Sequence, residues 1–206
     1  MLSIAILTCE VEYMRVTRAE AARNRERIID EAARLFRERG FDGIGVADLM
    51  KSAGLTHGGF YRNFESKEDL MVQACARAME ESLQNWDSLG EAGTEADLSA
   101  IASVYLSPKH RDRPGRGCSL AALGAEAARH GPVVRGVFTR GVRSTLETLS
   151  RLVPGRSKRL KRENAIAAFS SMVGALMLAR VVDDEKLSNE ILRSVKTSIG
   201  RIDSTQ

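Results

Sequence analysis

Between Thr56 and Lys67 the chain sets a threonine, a histidine, two glycines, a tyrosine, an arginine and a lysine on an apolar frame. Residues 46–53 read as two helical turns with Val46, Leu49 and Met50 facing inward. Gly54-Leu55-Thr56 breaks that helix, and Thr56 is placed to cap a second one by accepting an N–H from its first turn. The second helix, 57–64, is short enough for its leading edge to enter a DNA major groove, about 12 Å wide. Its free N–H groups and positive dipole end favour a phosphate. Gly58 and Gly59 carry no side chain, so backbone can come close to a duplex. Tyr61 can donate its hydroxyl to a phosphate, and Lys67 adds a cation where the next helix begins. Arg62 is suited to bases or backbone, and Arg23 and Arg25 are candidates for gripping phosphates from the preceding helix. Phe60 and Phe64 read as core.

A second reactive candidate is Cys118, which opens a helix after Arg116-Gly117. A thiol at a helix start near cations has a lowered pKa and a more reactive thiolate. The plainer reading is a small residue filling a helix contact. Cys118 or Ser119 with His130 can be drawn as a nucleophile–base pair. However, twelve residues of helix separate Cys118 from His130, about 18 Å at 1.5 Å per residue. There is no Gly-x-Ser-x-Gly, no Walker loop and no metal-ligand spacing, so a hydrolytic enzyme is only a remote alternative.

The elements that must carry these residues are helical. An amphipathic helix over 17–39 repeats Ile28, Ala32, Leu35 and Phe36 on one face and ends at Gly40, a natural C-cap. With 46–53 and 57–64 it makes a three-helix unit of helix-turn-helix type. Ser66, with Asp69 three residues on, starts a long helix over 67–89 whose inner side is Leu70, Ala74, Ala78, Leu83 and Trp86. A loop over 90–94 marks a domain boundary. Further helices follow at 95–106, 118–129, 133–153, 157–183 and 186–202, with a charged Pro/Gly loop at 107–117. The expected fold is all-α, about nine helices and no convincing strand. Residues 1–16 form an N-terminal tail, 17–66 a helix-turn-helix DNA-binding domain, and 67–206 a larger helical domain. Residues 1–13 read as a misassigned start or loosely held tail before Met14; they lack the positive n-region and length of a signal peptide.

The segment from Val46 to Leu70 resembles the signature of the tetracycline-repressor (TetR/AcrR-type) family of transcriptional regulators. Ala53-Gly54-Leu55-Thr56, Gly58, Tyr61 with Phe64, and Lys67 to Leu70 fall in register with it, as do Leu35-Phe36 and Gly40-Phe41 before it. Gly45 departs from the family's usual Ser or Thr cap. The resemblance, which covers about residues 23–70, implies that Thr56, Tyr61 and Lys67 take phosphate-contact positions and that His57 and Gly59 take base-reading ones. It also implies a C-terminal domain that binds a small-molecule inducer, with Met79, Trp86, Tyr105, Leu120, Leu123, Phe138 and Phe169 as lining candidates. The segment Gly117-Cys118-Ser119-Leu120 is similar to that of oxidant- and electrophile-responsive members, which makes thiol-based sensing by Cys118 the alternative function. Repression is the family default.

Residues 165–182 are apolar nearly all round, too much so for a helix exposed on one side. Ala167, Ser171 and Ala175 at four-residue spacing permit close helix approach. Residues 157–202 are therefore expected to pair with their copies in a homodimer, as an intermolecular four-helix bundle, and to present two headpieces to a palindromic operator on double-stranded DNA.

Composition agrees. A net charge of +4 permits nucleic-acid binding without requiring it. Residues 15–69 hold 11 Lys/Arg against 10 Asp/Glu, too balanced for a non-specific architectural DNA binder. Three widely spaced cysteines, Cys9, Cys75 and Cys118, suggest neither disulfides nor zinc and favour the cytoplasm. No apolar run approaches the roughly 20 residues that span a bilayer. No cofactor or metal is expected.

Overall fold

The computed structural model describes residues 17–91 and 98–203, and among these there is no strand. The expected tail at 1–16 and the residues at 92–97 lie outside the described part. Helix α1, Arg18–Arg39, starts from a reciprocal cap: Thr17 Oγ1 accepts the Glu20 N–H at 3.2 Å, and the Glu20 carboxylate accepts the Thr17 N–H. Gly40 closes it at φ 77°, its N–H bonded to Phe36 O. A side chain at Gly40 would be doubly excluded, because a Cβ would lie 2.7 Å from Glu126 Oε1. The same carboxylate accepts the Phe41 N–H at 2.7 Å, so α1 ends against the element that carries Glu126.

Helix α2, Val46–Ser52, has no side-chain cap, as Gly45 dictates. The expected second helix is a 3₁₀ turn, His57–Arg62, rather than an α-helix, and the Thr56 side chain caps nothing. Backbone replaces it: the Gly59 N–H bonds Thr56 O at 3.0 Å, the tighter pattern that so short a segment adopts. Gly54 makes the bend at φ 70°. Helix α3, Lys67–Glu91, begins with Ser66 Oγ accepting the Asp69 N–H, while Asp69 Oδ2 reaches back one residue further to the Glu65 N–H. It continues through Glu91, beyond the expected loop start at 90.

Beyond it come α4, Leu98–Tyr105; α5, Pro108–Arg111; a 3₁₀ turn, Pro114–Arg116; α6, Ser119–Ala127; α7, Pro132–Leu152; α8, Lys158–Val181; and α9, Glu185–Asp203. The stretch expected as a loop at 107–117 thus holds two short turns, each led by a proline at its start, where the missing N–H costs nothing.

Two cores organise these helices. The first joins α1, α2, the His57–Arg62 turn and the first half of α3 to Leu123 and Ala127 of α6 and Val134, Val137 and Phe138 of α7. The second joins α4, α6, α7, α8 and α9. By length and composition α8 would pass as a bilayer-crossing helix, contrary to expectation, because alanine, glycine, serine and methionine extend its apolar run. Its Ala165, Ala168, Phe169, Met172, Ala175, Leu176 and Ala179 are buried in the second core. Ala175 therefore faces inward instead of forming the expected outward stripe. The outward small-residue row is Ala167, Ser171 and Gly174, with nothing near Gly174, and it continues into exposed Leu178 and Val181. On α9 the inward face is Ser188, Leu192 and Ile199, with Ile191 and Val195 partly buried beside them, whereas Leu187 is exposed.

Replacing Gly40 by alanine should destabilise the protein by about 1–3 kcal/mol, since a left-handed φ and a close carboxylate both oppose a Cβ. Urea denaturation measures this; an unchanged midpoint would show that α1 does not end as described.

Candidate nucleic-acid interface

The His57–Arg62 turn is held from behind and open in front. Phe60 and Phe64 are buried, with ring centroids 5.5 Å apart, and the Asn63 amide bonds Gly59 O at 2.8 Å. Tyr61, between the two phenylalanines, points the other way and is 69% exposed. Its ring meets Phe60 edge-on at 5.2 Å and His57 at 6.3 Å, which stiffens an otherwise solvated side chain.

Thr56, His57, Gly58, Tyr61 and Arg62 are all exposed, while Gly59 and Lys67 are half-buried. Gly58 has a negative φ and nothing within 4 Å of where a Cβ would sit, so packing within the chain does not demand glycine there. Gly59 is closer, with Met50 Cε at 3.4 Å from that position. Arg25 stacks its guanidinium 5.1 Å from the Phe64 ring centroid, which fixes its cation beside the turn. Arg23 is exposed on the same helix. A residue missed by sequence reading, Arg27, ties α1 to the bend by donating to Ala53 O at 3.3 Å. Arg77 of α3 binds Glu26 and Asp30 of α1, so the first and third long elements of this half are braced together.

The effector candidates fall into two groups. Met79, Leu123 and Phe138 belong to the first core, where Met79 packs against Gly141. Tyr105, Cys118 and Phe169 belong to the second, and half-buried Leu120 packs on both. The Trp86 side chain lies outside the described residues.

Cys118 is buried, at the N-cap of α6. Its N–H donates to His110 Nε2 at 3.0 Å, and His110 Nδ1 bonds Tyr105 O at 2.7 Å. That pairing requires a neutral imidazole with its proton on Nδ1. Burial, helped by the Arg180 charge and opposed by the Tyr105 carbonyl, holds His110 below its ordinary pKa of 6.5. Burial pushes the Tyr105 phenol up; the Cys118 thiol, hydrogen-bonded to it, adds to this, and Arg180 opposes it. Arg180 Nη1 is buried with no acceptor among the described residues, and desolvation lowers the guanidinium's pKa. The cation beside Cys118 is thus Arg180 from α8, whereas Arg116, the cation expected from sequence, is exposed. Nothing local marks Arg180 or His110, since their roles depend on tertiary contact. Cys75 differs: burial pushes its thiol up to about 12.

Comparison with known proteins agrees with this geometry. Residues 28–74 match the family model "Bacterial regulatory proteins, tetR family". An HTH-type transcriptional regulator of Mycobacterium tuberculosis strain H37Rv is 28% identical over 169 residues, 78% of this chain and 86% of the relative. The HTH-type transcriptional repressor NemR of Escherichia coli K12 is 28% identical over 129 residues, 61% of this chain and 65% of NemR. Among solved structures, a TetR transcriptional regulator from Chloroflexus aurantiacus superposes with a TM-score of 0.75 at 26% identity, covering 91% of this chain and 98% of that one. The reduced form of E. coli NemR shares the fold, with a TM-score of 0.73 over 87% of this chain and 96% of that one, at 23% identity. Residues 28–74 thus match the tetR-family model on the elements that carry the exposed turn, and the chain as a whole is similar in sequence and fold to TetR/AcrR-type DNA-binding transcriptional regulators.

Proposed function

We propose that this regulator binds a palindromic operator as a homodimer in the cytoplasm and represses transcription until a small-molecule inducer releases it. The observation that carries the reading is the His57–Arg62 turn, whose polar side chains are exposed while Phe60 and Phe64 anchor it. In this reading Thr56, Tyr61 and Lys67 contact phosphates, His57 and Gly59 face base edges, and Gly58 admits the sugar–phosphate backbone. Arg23, Arg25 and Arg62 add cations at the rim, which makes the affinity depend on salt. Residues 17–66 read DNA and 67–206 sense and dimerise, with α3 crossing the junction.

The outward row Ala167, Ser171, Gly174, Leu178 and Val181 on α8 supports a dimer through residues 157–202, because an exposed apolar stripe of that length calls for a partner. Operators read by such two-fold dimers carry half-sites one helical turn apart or a multiple of it. The inducer acts only through a difference in affinity between DNA-competent and released arrangements.

A second reading, sensing of oxidants or electrophiles through Cys118, is favoured by one observation: the thiol lies beside a guanidinium with an unfilled donor. An incoming group with an oxygen acceptor would satisfy that donor.

Three outcomes test these assignments. Tyr61→Ala should weaken binding to every duplex by about tenfold or more, whereas His57→Ala should alter which sequences are preferred, as read by competition against a randomised library. Gly58→Ala should leave the thermal midpoint unchanged yet weaken operator binding, because only the duplex needs that space. Native protein treated with iodoacetamide should be modified at Cys118 before Cys75, as read by peptide mass spectrometry; the opposite order removes the thiol reading.

A further inference from the structure

Residues 107–118 are gripped by arginines from opposite halves of the molecule. At one end Arg37 of α1, its side chain 4% exposed, donates Nε to Gly115 O at 3.0 Å and Nη2 to Glu81 of α3 at 3.0 Å. At the other end Arg180 of α8 donates Nε to Arg111 O at 3.0 Å and Nη2 to His110 O at 2.9 Å.

The segment between these grips has little slack. Ser107 Oγ accepts the His110 N–H, the Gly117 N–H bonds Pro114 O, and His110 Nε2 accepts the Cys118 N–H. It also lies too close to its neighbours for side chains at two points. A Cβ at Gly115 would sit 2.2 Å from Glu38 Oε1, and one at Gly117 would sit 2.7 Å from His110 Nε2.

We propose that Arg37 is a positioning residue for DNA binding, acting through this strap to fix the DNA-reading helices relative to α8. The proposal rests on the reading of the chain as an operator-binding dimer. In a two-fold dimer the spacing of the recognition turns follows from how each headpiece sits on its own α8. Helix α3 alone joins the halves covalently and leaves their angle to side contacts. Besides the packing of α1 and α3 on α6 and α7, the strap supplies a directional, hydrogen-bonded connection from α1 to α8. It also passes Cys118 and His110, so displacement there is transmitted to Arg37. Buried guanidinium groups on backbone carbonyls suit this task, since each grip is directional and is lost if the strap moves by an ångström or two.

The test is a double-variant cycle on the full-length protein, with a duplex that the wild type recovers from a random library as the probe. Arg37→Met and Arg180→Met are made singly and together. Gly117→Ala crowds the His110 ring, which is held at both nitrogens, and so loosens the same strap without removing a charge; it remains informative if an arginine variant fails to fold. Each single change should shift the duplex Kd by about five- to tenfold in one direction, and the double change by no more than about twofold beyond the stronger single. Gly117→Ala should shift it in the same direction. Duplex binding should alter amide exchange across residues 107–118 in the wild type and cease to do so in Arg37→Met, a response that a merely stabilising arginine would not abolish. Shifts that multiply in the double variant, or wild-type strap exchange indifferent to the duplex, would overturn the proposal. Recovery of no duplex would instead overturn the DNA-binding reading beneath it.

Discussion

A six-residue 3₁₀ turn has too few hydrogen bonds to persist alone, so the exposed face of the His57–Arg62 turn exists only because Phe60 and Phe64 are driven into the core. Burying a phenylalanine is worth about 1.5–3 kcal/mol. Two such anchors, four residues apart, fix the turn from one side and leave Tyr61 and Arg62 nothing to do but face outward. Phe60 and Phe64 rest on the same core as Ile28, Leu49 and Met50, and this core extends into α6 and α7. The exposed groups of the turn are therefore oriented by apolar packing that runs on into α6 and α7.

This arrangement explains why the DNA-binding half needs little net charge. Near balance of Lys/Arg and Asp/Glu over residues 15–69 limits indiscriminate attraction to phosphate. Cations are fixed in place instead: Arg25 on the Phe64 ring, Arg27 on the Ala53 carbonyl, Arg77 on Glu26 and Asp30. The same use of ordered guanidinium groups recurs at Arg37, bonded to the Gly115 carbonyl and the Glu81 carboxylate, and at Arg180, bonded to two backbone carbonyls.

The helical frame was legible in the sequence wherever a local signal sets a boundary. Gly40, and Ser66 with Asp69, each place a helix end within a residue of where it lies, because caps act over three or four positions. The same signals misled where tertiary contact decides. Thr56 had the right type to cap a helix, but the 3₁₀ turn satisfies its N–H groups through backbone. Ala175 had the right spacing for an outward row, yet α8 turns it inward and offers Gly174. The prolines that argued for a loop at 107–117 start short turns there. Arg37, His110 and Arg180 could not be singled out at all, for their partners lie on other elements of the fold. The candidate site could be proposed by resemblance, since its exposed residues form one contiguous stretch.

Hydroxyl-radical footprinting of the bound operator tests the central claim most directly. If two copies of the His57–Arg62 turn lie in the major groove of one duplex, protection should appear as two symmetric patches on one face, centred about ten base pairs or a multiple of that apart. A single unpaired patch, or uniform protection around the helix, would contradict the account.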